Sequence, residues 1–256
     1  MSKPILLTID SLSKQFGGLL AVDTVNLQVE KGTIYGLIGP NGAGKTTIFN
    51  LITGVIKPTT GNIMFNGETI SGLPAHAVAK KGIARTFQNI KLFGNLSVLE
   101  NVLTVSQNTV SYNIMESFFH SPRFTAQEKA LHERAEHILE SVGISQYADV
   151  KSSNLPYGLQ RRAEIARALG VEPKLLLLDE PAAGMNEQES SQLVQLIRKL
   201  RDEYDLTIII IDHHMEMMME LCDMISVLQF GKMIATGTPA EVQSNQQVID
   251  AYLGVE

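Results

Sequence analysis

The chain has 256 residues, 44% of them hydrophobic and 19% charged, which is the composition of one or two folded domains and excludes a disordered chain. Its 27 acidic and 21 basic residues give a net charge of -6, which argues against a general nucleic-acid-binding protein. A single cysteine excludes an internal disulfide framework, and the absence of an apolar run near ~20 residues or of a secretory signal predicts a cytoplasmic protein.

The first third of the chain predicts short strands separated by glycine turns. Runs of strand-forming residues cover Ile5 to Ile9, Val22 to Val29, Thr33 to Ile38 and Asn62 to Phe65. Asn66-Gly67, after the last run, is a strong hairpin signal, so we expect antiparallel pairing here. A glycine-rich turn joins the Thr33 to Ile38 strand to a predicted helix over Thr46 to Ile52, which opens a strand–helix unit.

From about Leu92 to Gly170, helical patterns replace the strand signal. Thr125 and Glu128 have the form of a capping box, which predicts the start of a helix that continues over Ala130 to Val142. The basic pairs Lys80-Lys81 and Arg161-Arg162 are interpreted as solvated faces or charges at helix ends.

Buried strands return at Leu175 to Leu178 and Thr207 to Ile211, with a helix from about Gln188 to Leu200 between them. Apolar strands that alternate with helices imply a parallel sheet covered on both faces. The helical middle of the chain is therefore expected to be inserted into an α/β core. We interpret Met215 to Met219 as a helix packed on the sheet and Cys222 as a small buried hydrophobic residue.

The segment Gly39 to Thr46 fits the pattern of a phosphate-binding loop. Glycines let the backbone curl so that successive N–H groups point at an anion, and the following helix adds the positive end of its dipole. The pattern assigns Lys45 to the β and γ phosphates and the Thr46 hydroxyl to Mg²⁺. A structural glycine turn is disfavoured because the loop lies between a predicted strand and a predicted helix. The expected nucleotide contacts are Gly39, Pro40, Asn41, Gly42, Ala43, Gly44, Lys45, Thr46 and Thr47.

A second site is predicted where the strand Leu175 to Leu178 ends in Asp179 and Glu180. Two acids at the end of a buried strand are costly unless a cation lies near them. Ligands of open α/β sheets bind at the carboxyl ends of strands, where the phosphate loop also lies. We therefore predict that Asp179 holds Mg²⁺ through water and that Glu180 orients or deprotonates the attacking water. The alternative is a strand followed by a helix cap without chemistry.

Over essentially its whole length, the sequence resembles the ATP-binding-cassette (ABC) ATPases. The two motifs above match the family's Walker A and Walker B, and Leu155 to Leu169 matches its signature region. The resemblance implies that Gln88 senses Mg²⁺ and the γ-phosphate side while contacting a membrane partner, that Phe16 stacks on adenine, and that His213 reaches the γ-phosphate. Taken alone, Phe16 also fits a core position, Gln88 a surface glutamine, and His213 with its neighbour His214 a metal site.

The resemblance also implies the fold and its division. The expected fold is α/β, a RecA-like phosphate-loop core with an N-terminal antiparallel β subdomain and an inserted α-helical subdomain. Within a single nucleotide-binding domain, residues 1–90 and 171–235 are assigned to the core with its β subdomain. Residues 91–170 are assigned to the helical subdomain, residues 236–256 to a C-terminal helical tail, and Pro181 to Asn186 to the D-loop.

The signature departs from the family's usual Leu-Ser-Gly-Gly-Gln. Here Leu155 is followed by Pro156, Tyr157, Gly158 and Leu159, the segment that the resemblance places against nucleotide bound by a second cassette. Pro156 supplies neither the hydroxyl nor the backbone N–H of the usual serine. Losing one such hydrogen bond in the transition state costs on the order of 2–4 kcal/mol, so we expect a weak half-site. The chain's own Walker A, Walker B, Glu180 and His213 match the family, whereas its signature does not. A heterodimer with a second, homologous ATPase subunit, which supplies the better signature, accounts for this asymmetry.

Within the family, several stretches resemble the branched-chain amino-acid importer ATPases. They are Phe16 to Val22, the helical insert after Gln88, Tyr157 to Arg162, Pro181 to Gly184 and Val248 to Gly254. The resemblance implies an ATP hydrolase that uses ATP and Mg²⁺ at the cytoplasmic face of the inner membrane, with two permease subunits, indirectly a substrate-binding protein, and no nucleic acid. An importer of urea or short amides and a regulatory ABC ATPase without transport stay open as alternatives.

Two other function classes are disfavoured. A soluble ABC protein that acts on DNA or ribosomes would carry a long coiled-coil insert or two tandem cassettes, and this chain has neither pattern. A phosphate-loop kinase or GTPase would not explain Gln88, the Leu155 to Leu169 stretch and His213 together.

Overall fold

The computed structural model describes residues 3–107 and 122–253. Part of the predicted helical insert and Gly254 of the predicted C-terminal motif lie outside these ranges. The chain divides into two compact units: a core unit of Met1–Arg85 with Lys174–Glu256, and a helical unit of Thr86–Pro173. The helical unit thus begins before residue 91 and ends after residue 170.

The elements are as follows. The strands are β1 Ile5–Phe16, β2 Leu19–Glu30, β3 Ile34–Ile38, β4 Thr60–Phe65, β5 Glu68–Thr69, β6 Ile83–Arg85, β7 Leu175–Asp179, β8 Thr207–Ile211, β9 Met224–Gln229 and β10 Lys232–Gly237. The helices within the described ranges are α1 Lys45–Ile52, α2 Ala75–Lys80, α3 Val98–Ser106, α4 Pro122–Ser141, α5 Tyr157–Leu169, α6 Glu187–Glu203, α7 Met215–Leu221, α8 Pro239–Gln243 and α9 Gln246–Leu253. Among them, no helix has both the length and the apolar character needed to cross a membrane.

The core unit contains two sheets. An antiparallel sheet has the order β2-β1-β4-β5, and a six-stranded sheet has the order β10-β9-β3-β8-β7-β6. In the second sheet, β9, β3, β8, β7 and β6 are parallel and β10 is an antiparallel edge. Every residue of β3, β7 and β8 is buried, as strands covered on both faces require. The predicted α/β fold with its N-terminal antiparallel strands is confirmed, and the antiparallel edge is an addition to it.

The predicted strands exist but the first two are longer than expected. β1 and β2 pair up to the contact between Phe16 and Leu19, so the ladder continues past Ile9. Ser11 and Thr24 have positive φ angles of 49° and 52°, and the register shifts around them. Such bulges break the two-residue alternation of apolar and polar side chains, which hides the strand continuation from the sequence pattern.

The predicted helix start at Thr125 is wrong. In the described residues α4 spans Pro122–Ser141, so Thr125 and Glu128 lie inside the helix and not at its start. Capping boxes of the predicted type begin three other helices, at Ser97, Asn186 and Thr238.

The methionine-rich segment packs on the sheet as predicted. Met217 and Met218 of α7 are buried, and a Cβ added to Gly36 of β3 would lie 2.9 Å from the Met218 methyl carbon. The same added atom would lie 3.0 Å from the sulfur of Cys222, which is buried. The absence of a side chain at Gly36 therefore lets α7 approach the sheet closely.

The interpretation of Arg161 as a solvated charge is wrong. Within the helical unit its side chain is fully buried and forms an ion pair with Glu164 at 2.9 Å. Its neighbour Arg162 is partly buried and donates to the carbonyl oxygen of Val142 at 2.9 Å. The other basic pair fits the expectation better, because Lys80 is exposed and Lys81 pairs with Glu68 near the surface.

Candidate active site

The predicted phosphate loop connects β3 to α1, and its ends accept only glycine. Gly39 has a φ of +148°, and a Cβ there would lie 2.0 Å from the carbonyl oxygen of Leu228. Gly44 has a φ of +106°, and a Cβ there would lie 2.5 Å from the carbonyl oxygen of Ala21. Backbone from β9 and β2 therefore fixes the path of the loop from both sides, and a larger residue at either end would displace it.

The Lys45 ammonium group lies inside this loop. Its Nζ donates to the carbonyl oxygens of Gly39 at 2.6 Å and Pro40 at 3.0 Å. Burial lowers the pKa of Lys45, while the negative charges of Glu180 and Asp179 raise it. The structure thus brings the lysine and both predicted acids into one electrostatic neighbourhood at the carboxyl ends of the strands. Thr46 and Thr47 follow in the first turn of α1, with Thr46 exposed.

Phe16 lies on the strand pair that packs against the loop. β2 contacts Gly44 through Ala21, and the next residue, Val22, is paired with Lys14 of β1. The Phe16 ring ends β1 with 45% of its surface exposed, and the Lys14 Nζ lies 5.0 Å from the ring centroid. An exposed aromatic ring is suited to stacking on a base, which is the role that the family resemblance implies for Phe16.

Asp179, the last residue of β7, has a cationic partner that the sequence analysis missed. Its Oδ2 accepts from the Arg85 guanidinium at 2.6 Å, and the two side chains are 5% and 6% exposed. Arg85 also donates to Asn50 Oδ1 of α1 at 2.6 Å and lies 5.4 Å from the centre of the Phe49 ring. The cost of burying the carboxylate is thus offset by a guanidinium that also ties α1 to the end of β7.

Glu180 and His213 are in direct contact. The Glu180 Oε1 lies 3.0 Å from the His213 Nε2. Glu180 directly follows β7, and His213 lies two residues after the end of the neighbouring strand β8. Glu180 has a φ of +49°, and its N–H donates to the carbonyl oxygen of Ile211 at 2.7 Å. A left-handed conformation at a residue with a Cβ is strained, and such strain concentrates at functional sites.

Asp212 holds the turn that carries His213, and the sequence analysis missed it as well. The carboxylate is buried; its Oδ1 accepts from the N–H groups of His213 at 2.8 Å and His214 at 3.0 Å and lies 2.7 Å from the His214 Nδ1. Its Oδ2 accepts from the Ala182 N–H at 3.0 Å, in the segment after Glu180. The sequence does contain a signal for Asp212, because it directly follows the apolar strand Thr207 to Ile211. An acid at the end of an apolar strand is the same pattern that identified Asp179.

The C-terminal helix also reaches the phosphate loop. Burial raises the pKa of Tyr252 in α9, and a hydrogen bond with the backbone of Gly39 partly offsets that rise. Val248 and Ala251 of the same helix are buried. The C-terminal stretch singled out in the sequence therefore contributes to the core unit at the first residue of the loop.

The remaining predicted residues belong to the helical unit. Gln88 is exposed, and its carbonyl oxygen accepts from the Arg161 Nη2 at 2.9 Å. Pro156 is the N-cap of α5, and Tyr157, the first residue of the helix, is 46% exposed. In the first turn of this helix the Leu159 N–H donates to the carbonyl oxygen of Pro156 at 3.0 Å. The N–H groups of Tyr157 and Gly158 precede this bond, so they are the backbone donors that the signature segment retains despite Pro156.

Comparisons with known proteins identify the family of the chain. A family model described as ABC transporter matches residues 22–183, and a model described as branched-chain amino acid ATP-binding cassette transporter matches residues 232–256. The chain is 46% identical to the high-affinity branched-chain amino acid transport ATP-binding protein BraF of Pseudomonas aeruginosa, with 99% of both chains covered. It is 44% identical to LivG of Escherichia coli K12, a protein of the same description, again with 99% of both chains covered.

A solved structure gives the same result for the fold. The ADP conformation of MJ1267, an ATP-binding cassette of an ABC transporter, superposes with a TM-score of 0.86 at 30% identity. The match covers 98% of this chain and 100% of that one. The phosphate loop, the two acids at the end of β7 and the family matches lead to one conclusion: the chain belongs to the ABC transporter family, as an ATPase subunit.

Proposed function

We propose that this chain powers the import of branched-chain amino acids by binding and hydrolysing ATP. The observation that carries the hydrolytic role is the 3.0 Å contact between Glu180 and His213, beside the buried Lys45 and Asp179. The relatives named for branched-chain amino acid transport and the match over residues 232–256 support this substrate class. An importer of urea or short amides is the alternative.

The proposed mechanism assigns one task to each group. Lys45 neutralises charge on the β and γ phosphates, the N–H groups of the loop bind phosphate oxygens, and Phe16 stacks on adenine. Glu180 accepts a proton from the attacking water and holds it in line, while His213 contacts the γ-phosphate and is kept in place by Asp212. In the helical unit, Gln88 and the signature segment Pro156 to Leu159 have the roles that the family resemblance implies: Gln88 senses Mg²⁺ and the γ-phosphate side, and the signature segment contacts nucleotide bound by a second cassette.

The residues assigned to Mg²⁺ fit a hard cation. The Thr46 hydroxyl and the Asp179 carboxylate of the core unit are oxygen groups of the kind that Mg²⁺ prefers, and the side-chain amide oxygen of Gln88 in the helical unit has the same chemistry. Mg²⁺, when bound, neutralises charge that develops on the phosphates. Arg85 at 2.6 Å holds the orientation of the Asp179 carboxylate.

We also propose the partners. Two permease subunits supply the path through the membrane, a substrate-binding protein delivers the amino acid, and a second ATPase supplies the signature that Pro156 weakens here. The chain would then act at the cytoplasmic face of the inner membrane. Strong cooperative hydrolysis by the purified chain alone would contradict the heterodimer.

The test of the hydrolytic role is Glu180→Gln in the assembled transporter. We expect ATP binding to be retained and hydrolysis to fall about 10²–10⁴-fold, because the amide cannot accept the proton. The control is Glu216→Gln, which changes an exposed acid at the start of α7. Normal hydrolysis by Glu180→Gln would overturn the assigned role, and uptake of urea but not leucine by the wild-type transporter in liposomes would overturn the substrate class.

A further inference from the structure

The helical unit contains a fully buried ion pair that the proposed mechanism does not use. Arg161 and Glu164, one turn apart on α5, are 0% and 1% exposed, with the Nη1 and Oε2 atoms 2.9 Å apart. Burying two charges costs more than their attraction returns unless further hydrogen bonds satisfy both groups. The positions of those hydrogen bonds therefore indicate what the pair does.

Both charged groups bind the backbone of the segment that carries Gln88. The Arg161 Nη1 donates to the carbonyl oxygen of Phe87 at 2.7 Å, and its Nη2 donates to that of Gln88 at 2.9 Å. The Glu164 Oε1 accepts from the N–H groups of Phe87 and Lys91, each at 3.3 Å. The pair thus holds residues 87–91 at both ends and at the functional glutamine.

The same guanidinium reaches the signature. The Arg161 Nη2 donates to the Tyr157 hydroxyl at 2.9 Å, and the guanidinium carbon lies 5.6 Å from the centre of the tyrosine ring. A second arginine of α5 adds to the attachment, since the Arg167 Nη1 donates to the carbonyl oxygen of Lys91 at 2.6 Å. One buried side chain therefore connects the Gln88 carbonyl to the first residue of the signature helix.

We propose that Arg161 and Glu164 are positioning residues that fix residues 87–91 to α5, so that Gln88 and Tyr157 move as one body. This inference rests on the proposed function, because fixing residues 87–91 to α5 affects hydrolysis only if Gln88 and the signature act in it. A planar guanidinium with several donors in a fixed fork suits this task, because it binds two carbonyls, a carboxylate and a phenol together. Lysine cannot satisfy the same set.

The test separates positioning from folding by the choice of variant. Removing one partner leaves an uncompensated buried charge, whereas replacing both by apolar residues of similar volume is often neutral for stability. We therefore use Arg161→Met/Glu164→Leu together, and Tyr157→Phe to remove only the link to the signature. The matched control is Lys129→Met/Glu133→Leu, which removes an exposed pair, with side chains 77% and 64% accessible, from α4 of the same unit.

The first measurement is amide hydrogen exchange in the purified chain. In the Arg161/Glu164 double variant we expect the Phe87 and Lys91 amides to exchange about tenfold faster, because each loses its acceptor. Peptides from β8 and α4 keep wild-type exchange, as does every peptide of the control. Unchanged exchange over residues 87–91 would overturn the proposal, and faster exchange throughout the helical unit would replace it with a general structural role.

The second measurement is the steady-state kinetics of the assembled transporter. We expect the double variant to lose about 10²-fold in kcat, with the affinity for ATP unchanged, because small displacements of positioned groups cost rate. Tyr157→Phe loses less than the double variant and keeps the protection of residues 87–91. Faster exchange at residues 87–91 with an unchanged kcat would overturn the proposal. A wild-type transporter without ATP-driven uptake would contradict the proposed function instead, while the exchange experiment would still decide whether the pair holds the segment.

Discussion

Replacing Arg85 by methionine tests whether the buried cation beside Asp179 stabilises the core unit. The substitution keeps much of the volume of the side-chain stem but removes both the 2.6 Å ion pair with Asp179 and the 2.6 Å hydrogen bond to Asn50. The Asp179 carboxylate, 5% exposed, then loses its guanidinium partner. Because water has little access to this carboxylate, the change should be costly.

The expected magnitude follows from the burial. Removing one member of a buried ion pair costs about 3–5 kcal/mol. In a chain of this size each kcal/mol lowers the melting temperature by about 2–4 °C, so Arg85→Met should melt about 6–20 °C below wild type. The control, Lys31→Met, breaks an ion pair with Asp205 whose side chains are 44% and 74% exposed. It should cost about 0–1 kcal/mol, or at most about 4 °C.

The assay is thermal unfolding followed by circular dichroism in EDTA, with the double variant Arg85→Met/Asp179→Asn alongside. Because an amide carries no charge to bury, the second substitution should restore a large part of the lost melting temperature. If Arg85→Met melted within about 4 °C of wild type, or if the double variant melted no higher than Arg85→Met, the buried pair would not have the energetic role argued here.

Two further predictions concern other parts of the core unit. Phe230 is 81% exposed and has a φ of +47°, a left-handed conformation that asparagine tolerates better than phenylalanine. Phe230→Asn should therefore raise the free energy of unfolding, measured in urea, by about 1 kcal/mol. A lower free energy of unfolding would show that the ring contributes stabilising contacts. Burial raises the pKa of the Cys222 thiol to about 12, so iodoacetamide at pH 8 should modify it only after unfolding. The pKa of this thiol in the folded chain exceeds its ordinary value of 9.0, so between pH 9 and pH 12 only the unfolded chain loses the proton. The contribution of Cys222 to the free energy of unfolding is therefore constant below pH 9 and falls by about 1.4 kcal/mol per pH unit up to pH 12. Cys222→Ala should remove this part of the pH dependence.

The sequence predicts those parts of the site that depend on local spacing. The glycines at positions 39 and 44 indicate the path of the loop backbone, and the two acids at the end of β7 indicate the carboxyl edge of the sheet. Both motifs can therefore be recognised within a few residues. The sequence also indicates that a cation lies near Asp179. It does not identify Arg85, which lies 94 positions away, because the pairing of β6 with β7 brings the two together.

Local composition misleads where tertiary packing decides the environment. Arg161 next to Arg162 has the appearance of a charged surface, yet the first is buried and the second partly so. A usable signal is present: Glu164 lies three residues after Arg161, and Ala168 lies on the same side of α5 among buried residues. An opposite charge at this spacing on an otherwise apolar face indicates a buried pair, because each charge there needs a partner.

Asp179 ends β7 and Asp212 follows the neighbouring parallel strand β8, and the core unit stabilises their buried charges in two different ways. Asp212 is held mainly by the backbone N–H groups of Ala182, His213 and His214, which are fixed by the fold. Asp179 is held by the long side chain of Arg85, which has rotatable bonds between its charge and its backbone. Backbone donors suit a carboxylate that must keep His213 at 3.0 Å from Glu180. A side-chain donor makes the Asp179 carboxylate depend on one residue, because replacing Arg85 removes both the guanidinium and its link to Asn50 of α1.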